Sequence, residues 1–231
     1  MSLNHQIILL IENLTEILLK ELNTEIPDYR IEETKNLVSI LGNEVVEEFP
    51  WANGMKPSTN DNVEGVLRRT WKPALSIVGS DGMPSTANAG NVLRPYTTLQ
   101  LSMRIPPMVD PKKAVDAIEK ILKDDIPYGA SVELEFEEAA EGWNAPESKT
   151  WLLDAIEKAS KRYFNQMPCT IGEGGTIPFM AMLGKQFPEA QFVITGVLGP
   201  QSNAHGPNEF LHIPFAKNLT CCISSIITDF Q

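Results

Sequence analysis

Gly172-Glu173-Gly174-Gly175-Thr176-Ile177-Pro178-Phe179 is the stretch of this sequence that decides its fold. Thr176 is a good N-cap for the apolar run Ile177–Leu183, and Pro178 suits the first turn of a helix. A helix N-terminus that follows three glycines directs backbone N–H groups to one place, which favours an anion such as a carboxylate. The stretch therefore predicts an anion-binding loop at the start of a helix. A plain turn is the alternative, because glycine clusters of this size commonly form turns.

A histidine-bearing loop follows this stretch. The residues Gln191–Thr195 predict a strand, and the loop Gly199–Glu209 after it reads G-P-Q-S-N-A-H-G-P-N-E and carries His205. The ends of strands are where α/β sheets bind their ligands. A single loop histidine is also common at protein surfaces, so it is the combination with the glycine stretch that carries information.

Composition narrows the class of protein. The chain has 231 residues, enough for one large domain or two small ones, with 42% hydrophobic and 21% charged residues. Its net charge of −11 argues against nucleic acid as a partner. No long uncharged apolar run predicts a membrane span, and no basic region precedes the first apolar stretch as in a signal peptide. Cys169, Cys221 and Cys222 include no C-x-x-C pair, which favours reduced thiols and a cytoplasmic protein.

The first third of the chain predicts two helices and a loop. Apolar residues recur at helical spacing over Gln6–Leu22, which predicts a core-facing amphipathic helix, with adsorption to a membrane as the alternative. A second helix is predicted over Glu32–Glu48. The segment Pro50–Val63 is rich in Pro, Gly, Asn, Ser and Asp and predicts a loop.

The middle third alternates with period two. Short strands are predicted at Leu75–Val78, at Thr97–Ile105 and around Leu134, where Val132, Leu134 and Phe136 alternate with glutamates. Between the last two, Asp110 and Pro111 predict the start of a helix. The order helix–strand–strand–helix–strand is a ferredoxin-like unit without its first strand.

The last third predicts a second unit, with helices over Ser148–Phe164 and Pro214–Phe230 flanking the two motifs. One confident strand is too little for an independent α/β layer, so we expect a further segment to complete it. The predicted class is α/β, with an α+β ferredoxin-like domain at residues 1–137 and an α/β remnant at residues 138–231.

These motifs together resemble the C-terminal part of the co-catalytic zinc exopeptidases, which include carnosinase-type dipeptidases, aminoacylases, succinyl-diaminopimelate desuccinylase and glutamate carboxypeptidases. The resemblance extends back through Ala89-Gly90-Asn91-Val92-Leu93-Arg94-Pro95 and Leu101-Ser102-Met103-Arg104-Ile105-Pro106 and covers most of the chain from Arg69 onward. It implies that residues 1–137 are a lid and dimerisation domain, and residues 138–231 the C-terminal portion of a catalytic domain.

The resemblance also implies two zinc ions, with most ligands on motifs such as His-x-Asp and Glu-Glu. Neither motif is found in this chain, and His205 alone matches a metal ligand of the family. Because zinc sites use three or four protein ligands, we expect no tightly bound zinc in this chain and no activity from the chain alone.

The substrate-binding residues that the resemblance implies are Asn91, Arg104, Glu173, Gly174, Gly175 and Thr176. Arg104 matches the lid arginine that grips the substrate carboxylate, and its alternative is a salt bridge with the acidic segment Glu133–Glu137. Asn91 matches a lid residue beside that carboxylate, and its alternative is a turn-forming role. Glu209 is a candidate to support His205.

Two functional hypotheses follow. The chain is part of a metal-dependent hydrolase that cleaves a small peptide or an N-acyl amino acid and forms a homodimer through its lid. Alternatively, it is a non-catalytic dimerisation or amino-acid-binding module derived from that family. A co-encoded segment carrying the missing motifs would favour the enzyme.

Overall fold

The computed structural model describes residues 11–12, 16–17, 19–172 and 178–230. This part of the chain combines helices with two small antiparallel sheets. The strands are β1 (Ile11–Glu12), β2 (Glu16–Ile17), β3 (Ala74–Asp81) and β4 (Thr98–Arg104). The helices are α1 (Asp28–Leu41), α2 (Glu44–Glu47), α3 (Asn62–Trp71), α4 (Pro111–Lys123), α5 (Thr150–Phe164), α6 (Pro178–Gln186) and α7 (Ile213–Asp229), with short 3-10 turns at Lys20–Leu22, Thr86–Asn88 and Pro127–Gly129.

The hairpin of β3 and β4 is the larger sheet. Ala74 pairs with Arg104 and Asp81 with Thr98, and a register shift lies between Ile77 and Gly79. Along β4 the apolar positions are half-buried and the polar positions exposed, as the alternation predicted. The inward face packs on a core formed by Ile17, Leu22, Val109 and Ala114.

Helix α4 begins as its sequence predicts. The Asp110 side chain accepts hydrogen bonds from the backbone N–H groups of Lys112 (2.9 Å) and Lys113 (3.2 Å), and Pro111 stands at the first helical position. The side chain thus satisfies donors that have no partner inside the helix, which fixes where α4 starts.

Helices α1 to α3 form a small helical unit, residues 28–71, around Leu37, Val45 and Val66. The helix predicted over Glu32–Glu48 is split here, because Gly42 adopts a positive φ of 57° and ends α1. Helix α3 begins inside and runs beyond the segment predicted as a loop. Its cap is Asp61, whose side chain accepts from the N–H groups of Val63 and Glu64.

Three predicted elements are wrong within the described ranges. In place of a helix over Gln6–Leu22, Ile11 pairs with Ile17 and Glu12 with Glu16, while residues 1–10, 13–15 and 18 lie outside the described residues. Ile17 and Leu22 are drawn into the core beside β3 and β4, so tertiary burial overrides the helical spacing. The segments 132–136 and 191–195 form no strand, since neither pairs with a neighbouring strand in the described part of the chain.

The ferredoxin-like order is therefore present only as β3–β4–α4 among the described elements. Exposure still alternates at the predicted third strand, where Val132 and Leu134 are half-buried and the glutamates between and after them are exposed. Phe136 departs from the prediction because it is exposed. The alternation thus predicted the half-buried positions of Val132 and Leu134. A β-strand also needs a partner strand for its backbone hydrogen bonds, and the alternation does not supply one.

Helices α5 and α7 form the third core, built from Leu152, Ala155, Ala159, Cys222 and Ile226. The Cys222 thiol donates to the carbonyl of Ala159 at 3.4 Å, and all three cysteines are unpaired. Phe230, directly after α7, is 67% exposed, and its ring lies 5.1 Å from that of Trp151 between centroids. Within the described ranges, no helix is both long enough and apolar enough to cross a membrane.

Glu64 connects α3 to the segment that leads into β3. Its Oε1 accepts from Arg68 Nε at 2.8 Å and from Lys72 Nζ at 2.6 Å. Burial raises the pKa of Glu64, but the hydrogen bonds from Lys72 and Arg68 outweigh it and lower the pKa below its ordinary value of 4.5. A lowered pKa means that the ionised carboxylate stabilises the fold above that value, and that this contribution is lost as the pH falls.

Glu64→Gln should lower the free energy of unfolding by about 1 kcal/mol near neutral pH, since both bonds are charge-assisted but partly screened by solvent. The difference from the unchanged chain should disappear in acid, where Glu64 is protonated. Denaturant unfolding measured across the pH range tests this, with Glu47→Gln as the matched control on α2. A difference that persists unchanged in acid would show that the charge of Glu64 is irrelevant.

Candidate substrate-carboxylate site

Arg104 is the last residue of β4 and lies on its exposed face. Within the described ranges it forms no ion pair, so the alternative of a salt bridge to Glu133–Glu137 is not formed. A guanidinium held at a strand end without a partner is available for a bidentate bond to a carboxylate.

Asn91 lies in the connection between β3 and β4, residues 82–97, which is exposed along nearly all of its length. The connection folds back on itself at Gly82, where a Cβ atom would lie 2.5 Å from the carbonyl oxygen of Tyr96. Gly82 has a φ of 80°, so this close approach requires glycine. No hydrogen bond or ion pair joins Asn91 to Arg104 within the described residues.

His205 lies in an exposed loop that the backbone holds in an unusual conformation. Its φ is 60°, and Gln201, Asn203 and Asn208 in the same loop also have positive φ values. Such conformations are sparsely populated and persist when surrounding contacts enforce them. Here the Glu209 carboxylate accepts from the His205 backbone N–H at 2.5 Å, and the Asn203 side chain donates to the carbonyl of Pro207.

The base of this loop is closed by buried polar contacts. Ser202 is only 4% exposed, and its hydroxyl lies 2.8 Å from the carbonyl oxygens of both Leu198 and Gly199. His212 has a structural role, because its Nδ1 accepts from the N–H of Phe215 and caps α7. The loop is thus anchored at both ends, with His205 at its exposed tip.

A linker, residues 141–145, precedes helix α5 and packs between the segment after β4 and helix α6. A Cβ atom on Gly142 would lie 2.5 Å from Cα of Pro107, three residues after Arg104. On its other side, a Cβ atom on Gly184 of α6 would lie 2.6 Å from Nε1 of Trp143. The linker therefore contacts both the segment after Arg104 and the helix that directly follows the glycine stretch, and a groove of about 380 Å³ lies along it.

Sequence reasoning assigned no role to this linker beyond connection. The residues it missed are Trp143, which packs edge-on against Phe192 with ring centroids 5.0 Å apart, and Asn144, which is bound by Tyr29 and Arg30. The sequence showed a tryptophan and an asparagine within a segment that is otherwise typical of a loop. That pattern does not identify the residues that they contact.

The glycine stretch itself is only partly described. Glu173, Gly174, Gly175 and Thr176 lie outside the described residues, and α6 is described from Pro178 onward. Gly172 is described, and a Cβ atom there would lie 3.1 Å from Cβ of Thr70 on α3. The carboxylate-binding role of Gly174, Gly175 and Thr176 and the contact of Glu173 with the amino end of the substrate remain predictions.

The described residues do not form a zinc site by themselves. No three His, Cys, Asp or Glu side chains come together in the described ranges in a way that holds a metal ion. Of the groups near His205, the Glu209 carboxylate is already bound to the backbone. Zinc sites take three or four protein ligands, so His205 fits only as one member of a larger set.

The fold of this chain is similar to the folds of solved peptidases. The chain superposes on the M20 family metallo-carboxypeptidase Sso-CP2 from Sulfolobus solfataricus with a TM-score of 0.75 over 97% of its length, at 17% identity. It superposes on the dipeptidase Dug1p from Saccharomyces cerevisiae with a TM-score of 0.70 over 98% of its length, at 18% identity. The chain has the fold of the M20 metallopeptidases.

The resemblance to the zinc exopeptidases is confirmed at the sequence level as well. The chain is 28% identical to a cysteinylglycine-S-conjugate dipeptidase from Corynebacterium striatum over 156 residues, 63% of this chain and 33% of that protein. No protein-family model matches the sequence. The chain spans about a third of this curated relative, and 51% and 48% of the two M20 structures.

Glu209→Ala should release the His205 backbone N–H. We expect its amide exchange to become roughly tenfold faster or more, because a hydrogen bond to a charged group is lost. Glu209→Gln keeps an acceptor oxygen and should stay closer to the unchanged chain, while Glu189→Ala in a distant turn is the control. Hydrogen exchange followed by NMR measures the exchange rate of the His205 amide. An unchanged rate in Glu209→Ala would contradict the role of this carboxylate.

Proposed function

We propose that this chain is the lid, residues 1–137, and the C-terminal catalytic portion, residues 138–231, of a zinc-dependent exopeptidase or amidohydrolase. The complete enzyme cleaves a small peptide or an N-acyl amino acid beside a free carboxylate. The proposal rests mainly on the environment of Arg104. Its exposed guanidinium has no ion-pair partner among the described residues, and it lies at the end of a strand in an M20 fold. Unpaired thiols support a cytoplasmic location.

The grip on the substrate carboxylate is assigned to Arg104, Asn91 and the glycine stretch. The planar fork of Arg104 donates two parallel hydrogen bonds to one carboxylate. From the sequence, we expect the backbone N–H groups of Gly174, Gly175 and Thr176 to supply further donors, together with a favourable helix dipole. Binding one end of the substrate in this way orients the adjacent amide bond.

Zinc chemistry in the proposed enzyme requires residues beyond those described. A zinc pair polarises the amide carbonyl and lowers the pKa of bound water. His205 would supply one imidazole ligand, and Glu209 fixes the loop that carries it. We propose that the chain alone is inactive, since a single imidazole does not hold zinc tightly.

The alternative is a non-catalytic module derived from this family, which forms dimers or binds amino acids. The observation that favours it is the lack of a three-ligand cluster among the described residues. Both functions use the same carboxylate grip, and they differ in whether turnover occurs.

Hydrolysis and binding assays together distinguish the two functions. The panel contains alanylglycine, N-acetylalanine and alanylglycine amide, each with added zinc. The chain alone should bind the two free carboxylates without hydrolysing them. Zinc-dependent turnover by the chain joined to a segment that carries His-x-Asp and Glu-Glu motifs would support the enzyme. Binding that never leads to turnover would support the module, and a chain that binds none of the three compounds would refute both.

Arg104→Lys should weaken binding of alanylglycine by about tenfold, because lysine keeps the charge but loses one of two parallel hydrogen bonds. The amide analogue should be unaffected, since it lacks the carboxylate. Calorimetric titration of both ligands measures the effect, and Arg94→Lys in the exposed connection before β4 is the matched control. Equal losses for acid and amide would show that Arg104 serves the fold instead.

We also propose that the chain forms a homodimer through residues 1–137. Ile77 and Val78 on β3 are 56% and 57% exposed, and Leu93 is fully exposed. Covering such apolar surface contributes about 25 cal/mol per Å², and salt screens the opposing net charge.

Sedimentation at tens of micromolar should therefore detect a dimer. The paired change Ile77→Asp and Val78→Asp should shift the chain toward the monomer, because charges replace the exposed apolar side chains. Ser80→Asp adds a similar charge to the same strand without removing apolar surface and should leave the dimer intact. A folded monomer of the unchanged chain would contradict the proposal.

A further inference from the structure

The loop that carries His205 is closed at its base through residue 212. The backbone N–H of His212 donates to the carbonyl of Leu198 at 2.8 Å. The same carbonyl accepts from the Ser202 hydroxyl at 2.8 Å. The carbonyl of Ser202 in turn accepts from the backbone N–H of Phe210 at 3.1 Å. His205 lies in the chain between Ser202 and Phe210, so these bonds join the two ends of the segment that carries it.

The His212 side chain extends this closure into helix α7. Its Nδ1 accepts from the backbone N–H of Phe215 at 3.1 Å and so caps the helix. A Cβ atom on Gly199 would lie 2.8 Å from Cβ of His212 and 2.9 Å from Cβ of Phe215. The capped end of α7 therefore lies directly against the start of the loop, and one residue holds loop and helix together.

This cap requires a neutral imidazole. In a neutral imidazole one ring nitrogen donates and the other accepts, and in His212 the acceptor is Nδ1. In the protonated ring both nitrogens are donors, so Nδ1 would face the N–H of Phe215 with no lone pair to offer. The added positive charge would also lie at the positive end of the dipole of α7. Histidine changes its charge between about pH 5 and 8, so mild acid removes the cap.

The surroundings of His212 offer no carboxylate that would compensate for its protonation. Within the described ranges His212 forms no ion pair, and the first turn of α7 contains no acidic residue. Glu209, the nearest carboxylate along the chain, accepts from the His205 backbone N–H, and Lys217 in the second turn of α7 adds positive charge. The residues packed around the cap on the loop, on α7 and on α5 are uncharged: Leu198, Gly199, Ser202, Phe215 and, against Phe215, Phe164.

We propose that His212 is a pH-sensitive latch on the loop that carries His205. The neutral imidazole caps α7 and holds the base of the loop closed, whereas protonation releases the cap and loosens the loop. His212 is thus a positioning residue, because it acts through the loop. The inference rests on the proposed function only in taking His205 as a zinc ligand. On that basis, the loop presents its imidazole in the closed arrangement above the pH range of the latch and loses that arrangement below it.

The test is hydrogen exchange of the 231-residue chain, followed by NMR and expressed relative to the intrinsic rate at each pH. The range runs from about pH 8 to about pH 5.5, where ordinary carboxyl groups stay ionised. As the pH is lowered, protection of the Phe210 and Phe215 amides should fall together by roughly fivefold, the effect of losing a typical helix cap.

Two variants of residue 212 separate the cap from its titration. His212→Ala removes the acceptor and should show the weaker protection at every pH. His212→Asn keeps an acceptor that does not titrate and should stay protected throughout.

The matched control is His205→Asn, which removes the other imidazole of the loop. Asparagine tolerates the positive φ of 60° at this position, so the pH response should persist in this variant. The amides of Lys112 and Lys113, which Asp110 caps on α4, are the internal reference and should not change.

Three results would overturn the proposal. A pH response that persists in His212→Asn would show that another group controls the loop. A fall at Phe215 with Phe210 unchanged would show that the cap does not hold the loop. An equal fall at Lys112 would show general unfolding in place of a local latch. The exchange measurements need no ligand, so failure of the proposed function would appear separately, in the hydrolysis and binding assays.

Discussion

The largely buried side chain of Arg30, 14% exposed, makes the polar contacts that hold the helical unit against the linker. It joins α1 to the linker at Asn144 and Ala145, and the linker in turn touches Pro107 beyond β4 and Gly184 on α6. An arginine that is largely removed from water must have its donors satisfied, because an unpaired buried charge is costly. The folded chain meets that requirement only when the helical unit and the linker lie together.

The described residues form three separate cores. One lies within the helical unit, one beneath β3 and β4, and one between α5 and α7. Each is small, and many large apolar side chains outside them remain exposed. Small cores bury little apolar area, so contacts between the units carry part of the remaining stabilisation. The chain covers 51% and 48% of the two M20 structures on which it superposes.

The candidate site combines residues from separate parts of the chain. Arg104 and helix α6 come from distant parts of the sequence, and the linker contacts Pro107 after β4 through Gly142 and Gly184 in the last turn of α6 through Trp143. His205 is held differently, by a loop whose own side chains restrain its backbone. The proposed carboxylate site therefore combines residues that are distant in sequence, whereas the histidine loop depends mainly on local bonds.

By itself, the sequence determined the local features of this protein. The Asp110 cap with Pro111, the alternation along β4, helices α5 and α7 and the family motifs were all readable, because each depends on neighbouring residues along the chain. Only the tertiary structure decided that residues 11–12 pair with residues 16–17, that 132–136 and 191–195 form no strand, and that Arg30 reaches Asn144. Strand pairing and buried polar contacts depend on partners far away in sequence, and a local pattern carries no information about which partner will be present.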